Sequence, residues 1–194
     1  PISNGTEVYG ATESTLTIIP DGTTVYEVEV LQTTSGCVST DDITINVYPD
    51  PIITEITISE DQICSGGQVT IEATTTPLLG TPTFTWYRNG ILLPEVTTAV
   101  FTESPEAIDG DVTLYTYSAF VTTDVAGCQS DITESPVLTV YDNPVVVISG
   151  DANICETDSV FLTAFVDHVS DPVGILSYTW FESGQTLENS AYGV

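Results

Sequence analysis

Apolar and polar residues alternate along most of this chain in short runs broken by turn residues. Val25-Tyr-Glu-Val-Glu-Val30 places Tyr26, Val28 and Val30 on one face and Glu27 and Glu29 on the other, the period-two signature of a half-buried strand. Similar runs follow at Ile43–Tyr48, Ile52–Ile58, Val69–Thr74, Thr83–Tyr87, Val96–Phe101, a weaker one near Ile108, Val112–Val121 and Pro136–Tyr141. Turn residues separate them: Ser65-Gly66-Gly67, Arg88-Asn89-Gly90 and Val125-Ala-Gly-Cys128. No stretch carries a 3.6-residue period with caps. The apolar residues are mostly Val, Ile, Leu, Tyr and Phe among many Thr, which suits pleated strands. An all-β fold is expected.

Comparing the sequence with itself reveals a repeat. Tyr26, Cys37 and Tyr48 return as Tyr117, Cys128 and Tyr141, and Cys64 and Trp86 return as Cys155 and Trp180. The offsets are 91 for both cysteine pairs, 93 for Tyr48 to Tyr141 and 94 for Trp86 to Trp180. One whole unit, 51–143, is thereby predicted as a seven-strand sandwich. Segment 1–50 reads as the C-terminal half of such a unit and 144–194 as the N-terminal half of another, completed by further chain or by a neighbouring copy. Joined tail to head, the two halves come to 101 residues against 93 for the whole unit.

The motifs Cys64-Ser-Gly-Gly, Thr85-Trp-Tyr-Arg-Asn-Gly90, Ala126-Gly-Cys128 and Tyr141-Asp-Asn-Pro resemble the immunoglobulin-like and PKD-like repeats of large bacterial cell-surface adhesins and gliding-motility proteins. A unit of this length also fits an immunoglobulin-type sandwich. The resemblance covers the whole chain and implies tandem immunoglobulin-like β-sandwich domains in a secreted, surface-attached protein. Such repeats usually serve as spacers and fibre-forming modules, so the partners it implies are neighbouring copies of the chain. In these sandwiches the third strand buries a tryptophan, the position of Trp86 and Trp180, and Tyr26 and Tyr117 resemble a tyrosine corner.

Charge narrows the partners. Asp and Glu number 28 against the single basic residue Arg88, a formal net charge of −27 over 194 residues. Phosphate backbones need Lys and Arg, so nucleic acid is excluded, and an anionic membrane surface repels the chain. No run of 18 apolar residues exists, so insertion into a membrane as a helix is not expected. With 41% hydrophobic residues, the acidity does not signal disorder.

Four cysteines at matched positions in an exported β repeat point to oxidised thiols with a structural role. Cys64 with Cys128 is the simplest pair, yet their turns are expected roughly 20 Å apart, one strand length, where a bridge needs Cα atoms within about 7 Å. A bridge between neighbouring units, involving Cys37 and Cys155 as well, is the alternative.

Nothing marks out an enzyme. There is no lysine, His168 is the one histidine, and no two carboxylates are singled out among the 28 acids. No cofactor is expected, calcium excepted: acids gather at turns and boundaries, notably Asp50, Asp109, Asp111 and Asp142, and hard cations take oxygen ligands. The competing explanation of these acids is a solvated, self-repelling surface. A carbohydrate-binding accessory module that contacts surface glycans is the alternative function, with an exposed aromatic platform as its requirement. Asn4-Gly5-Thr6 is a glycosylation sequon, and Asp158-Ser159-Val160 resembles a short O-glycan acceptor motif.

Overall fold

The structure, a computed structural model, describes residues 2–3, 6–7, 12–108, 112–168 and 176–186. Every regular element among them is a strand. No helix long and apolar enough to cross a membrane occurs among the described residues. The chain divides into two compact units, Pro1–Ser59 with Thr70–Thr102 and Tyr115–Val137, and Glu60–Val69 with Glu103–Leu114 and Leu138–Val194. These boundaries cross the 51–143 repeat, whose strands are shared between the two.

The head of the chain holds β1 (Ile2–Ser3), β2 (Thr6–Glu7), β3 (Thr24–Gln32) and β4 (Cys37–Ile45) in one sheet of order β2-β1-β3-β4. β3 and β4 form a nine-residue antiparallel hairpin from Thr24↔Ile45 to Gln32↔Cys37.

The middle of the chain contributes β5 (Ile53–Ile58), β6 (Gln62–Cys64), β7 (Val69–Thr75), β8 (Pro82–Arg88), β9 (Ile91–Leu93), β10 (Val100–Glu103), β11 (Thr113–Tyr115), β12 (Tyr117–Thr123), β13 (Thr133–Glu134) and β14 (Leu138–Tyr141). Within the first unit, the sheets β10-β7-β5 and β13-β12-β8-β9 form two layers. Buried positions alternate along β7, β8 and β12, as the pleat requires, whereas in β5 a register shift between Ile53 and Glu55 sets Ile53 and Ile56 three residues apart. Ile53, Ile56, Ile71, Ala73, Phe84, Trp86, Tyr117, Ala119 and Val121 are buried. Trp86 crosses from β8 to meet Phe101 of β10 edge-on at 5.0 Å between ring centroids, and its indole N–H donates to the Thr98 carbonyl at 2.8 Å. A buried indole needs such an acceptor, because an unpaired N–H in an apolar interior costs about 1–3 kcal/mol.

In the second unit, β14 runs parallel to β6 in the sheet β11-β14-β6, with Leu138 and Val140 buried. The tail carries the antiparallel pair β15 (Val145–Ser149) with β16 (Thr163–His168) and the hairpin β17 (Phe181–Glu182) with β18 (Gln185–Thr186).

Three departures from the sequence expectation have physical causes. β6 and β9 were not anticipated. Ile91–Leu93 folds back on β8 through Asn89-Gly90, both at positive φ (48° and 78°), the turn chemistry that Asn-Gly favours. Residues 104–108 form no strand; the Ile108 N–H donates to the Thr113 hydroxyl at 2.9 Å. The tail's third strand, expected around Trp180, is unformed over 176–180, whereas its counterpart β8 pairs along its whole length with β12. A strand exists through its ladder, and the counterpart of β12 in the repeat is β3, at the other end of the sequence.

Candidate functional site

Residues at matched positions of the sequence repeat differ in burial. In β12, Ala119 and Val121 are 0% exposed; their repeat counterparts in β3, Val28 and Val30, are 45% and 60% exposed. Ile71 of β7 is 0% exposed, and its counterpart Leu162 in the tail is 45% exposed. Tyr117 and Trp86 are fully buried, whereas Tyr26 and Trp180 are only half-buried. One residue pattern therefore forms a core in the middle of the chain and an open apolar surface at either end.

On the head, that surface is a groove along the β3–β4 hairpin, lined by Leu16, Ile18, Tyr26, Val28, Ile43 and Ile45. Its lateral floor is set by register, since Tyr26 faces Ile43 across the ladder and both point to the same side. On the tail, all five residues of β15 and Phe161, Leu162 and Phe165 are exposed. Because consecutive residues of a strand alternate between faces, β15 exposes apolar side chains on both of its faces.

The cysteines lie at the segment junctions. All four carry free thiols, and the bridge between Cys64 and Cys128 is not formed. Cys64, exposed at the end of β6, stands in register with Tyr141. The turn that follows it is held through Ser65: its N–H donates to the Tyr141 carbonyl at 2.7 Å, its hydroxyl accepts from Ala107 N–H at 3.0 Å, and its carbonyl accepts from the Asn143 amide at 3.1 Å. Cys128 lies in the turn after β12, and its thiol is 3.9 Å from the Tyr48 carbonyl. Cys37 begins β4 opposite Gln32, and the Cys155 N–H donates to the Asp158 carboxylate at 3.4 Å.

Among the acids proposed for calcium, Asp50 is exposed and Asp142 is half-buried, its carboxylate accepting from Asn143 N–H at 2.8 Å. Asp109 and Asp111 lie outside the described residues. Among the described residues, no three His, Cys, Asp or Glu side chains converge as a metal-holding group. Trp86 offers no platform for stacking a sugar, because none of its surface is accessible.

Two features were missed in the sequence. Asp124, which follows β12, accepts from Thr81 N–H at 2.7 Å and ties two distant loops together. That backbone hydrogen bond, with a further one from the Thr81 side chain, holds its carboxyl below the ordinary Asp value. No local motif announces a bond across 43 residues. The Ser65 knot was foreshadowed only by the Ser-Gly-Gly turn.

Compared with known proteins, the chain matches no family model and no curated sequence.

Proposed function

We propose that the chain is a structural repeat of an extracellular fibre or cell-surface adhesin, assembling head to tail. Each half-repeat is completed into an immunoglobulin-like sandwich by a neighbouring copy or by further chain. The observation that carries this reading is the contrast in burial at matched positions: Ala119, Val121 and Ile71 are core, whereas Val28, Val30 and Leu162 are exposed. In the sequence repeat, the tail carries the segments matched to β5, β7 and β8, and the head carries those matched to β12 and β14. Burying both faces removes apolar surface worth about 25 cal/mol per Å² and pairs open strand edges. Where a neighbouring copy supplies the missing half, the two joining surfaces differ, so the contact is heterologous and propagates as an open fibre. Resemblance to surface-adhesin repeats supports an exported location and a mechanical role.

Sedimentation velocity across a concentration series, with negative-stain imaging of the heaviest fractions, tests the proposal. Concentration-dependent growth into linear chains is expected. A chain that stays monomeric at high concentration and ionic strength would refute it.

A further inference from the structure

We infer that the linker Tyr48–Ile52 is a packed joint, locked without a metal ion, that holds the β3–β4 hairpin at a fixed angle to β5, β7, β8 and β12 within the first compact unit. The inference concerns a single chain and does not depend on how copies assemble.

The sequence already restricts this linker. Residues 46–52 belong to no strand. Pro49 and Pro51 fix their own φ near about −65° and push Tyr48 and Asp50, the residues before them, into extended backbone. Few conformations are left to freeze. Neither proline has an N–H, so this stretch is held through its carbonyls and side chains. Tyr48, Pro49, Pro51 and Ile52 border a cleft of about 150 Å³ whose far side carries Leu79 and Val125. Pro51 is buried. The Ile52 carbonyl accepts from Thr76 N–H at 3.0 Å, one step beyond the ladder pair Ile53↔Thr75, and the Cys128 thiol lies 3.9 Å from the Tyr48 carbonyl.

The far side of the cleft comes from two loops distant in sequence, 76–81 and 123–128, and these are stapled to each other. Thr81 N–H donates to the Asp124 carboxylate at 2.7 Å, and Asp124 N–H donates back to the Thr81 carbonyl at 3.2 Å. The second loop is itself a closed turn, in which Thr123 N–H donates to the Cys128 carbonyl at 3.0 Å and Ala126 and Gly127 take φ 57° and 68°. The frame around the linker therefore cannot widen without breaking the Asp124–Thr81 pair. Asp50 is exposed, and none of these bonds passes through it. A cation at Asp50 is not needed to hold the joint.

The matched linker, Tyr141 to Pro144, lies in the second compact unit and is held from its other side, by a turn of the repeat that it ends. There Ser65 N–H donates to the Tyr141 carbonyl at 2.7 Å, and the Asn143 side-chain amide donates to the Ser65 carbonyl at 3.1 Å. Tyr48 is touched by the repeat that follows it and Tyr141 by the repeat that precedes it, and in both the group engaged is the tyrosine carbonyl. One sequence repeat thus carries a grip for the linker at each of its ends.

The test is nuclear magnetic resonance of the isotope-labelled 194-residue chain, dilute enough to be monomeric and in excess EDTA. Residual dipolar couplings from β3 and β4 and from β5, β7, β8 and β12 should fit one alignment tensor. Backbone order parameters at Val47, Tyr48, Asp50 and Ile52 should lie near about 0.85, the rigid range, and fall below about 0.6 once the joint is freed. Asp124→Ala should free it, splitting the tensor in two while the Trp86 indole N–H resonance, a marker of the intact core, stays in place. Leu79→Ser with Pro49→Gly, both exposed positions outside the core, should do the same with the Asp124–Thr81 staple still present. Separate tensors in the wild type would overturn the inference. So would a common tensor that appears only when calcium is added, or wild-type rigidity that survives in both variants.

Discussion

Trp86 and Trp180 are the same residue of the repeat in two environments. Trp86 has no exposed surface, fills the space between β8 and β10 and satisfies its N–H on Thr98. Trp86→Ala should cost about 3–5 kcal/mol in urea unfolding, the range for large aromatic deletions from packed cores. Asp124 shows how a surface charge is recruited. Gly80 sits at φ +84°, and an added Cβ would run into the Asp124 carboxylate, so the loop must carry glycine there for Thr81 to reach its acceptor. Because folding lowers the Asp124 pKa, the carboxylate stabilises the fold above the unfolded Asp value, and that contribution disappears as pH falls through the lower folded value. Asp124→Ala should therefore be less stable than wild type near pH 7, and the difference should shrink on acidification below about pH 4, the unfolded Asp range. Paired thermal melts from pH 7 to pH 2.5 check the convergence.

At the scale of elements, identical patterns reach different ends because their partners differ. β4 remains hydrogen-bonded to β3 from Cys37 to Ile45. The corresponding stretch after Cys128 breaks at Ser135-Pro136: β13 stays with β12, and β14 leaves to pair with β6 and β11. Proline has no N–H for the ladder, whereas the head has Asp42-Ile43-Thr44 over the matched positions and keeps pairing. On the proposed assembly, the face of β3 that carries Val28 and Val30 is the one that a partner strand layer covers. Val30→Asn should change the unfolding free energy of the chain by less than about 0.5 kcal/mol, since the site is exposed. Association should weaken at least about tenfold, because burying Val is worth about 1.5–3 kcal/mol and 1.4 kcal/mol is tenfold in affinity. Urea unfolding and sedimentation of the same variant read the two effects separately.

For the whole molecule, charge and apolar surface oppose each other. Eight acids lie in residues 1–50 and seven in 144–194, with no Lys or Arg in either segment. Bringing a tail to a head sets like charges against one another, so screening should favour assembly. Raising sodium chloride from 20 mM to 500 mM is expected to shift the sedimentation profile towards longer chains. The same salt would dissolve an assembly held by opposite charges. An effect of calcium beyond that of sodium at matched ionic strength would expose a specific cation site at Asp50 or Asp142.

The sequence by itself determined the β class, because period-two alternation with Gly, Asn and Pro breaks leaves few other ways to bury this many β-branched and aromatic residues. The repeat made the burial of Trp86 and Tyr117 predictable, since both sit at inward positions of alternating runs. Only the tertiary structure decided which copies of that pattern form a core. Val28 and Ala119 share a place in the repeat, and the difference between them is whether a second layer covers the strand, which no local pattern encodes. The Asp124–Thr81 tie, the switch of β14 at Pro136 and the approach of Cys128 to Tyr48 span 43 to 80 residues along the chain or depend on which strand is nearest. Such contacts are fixed by packing, not by propensity.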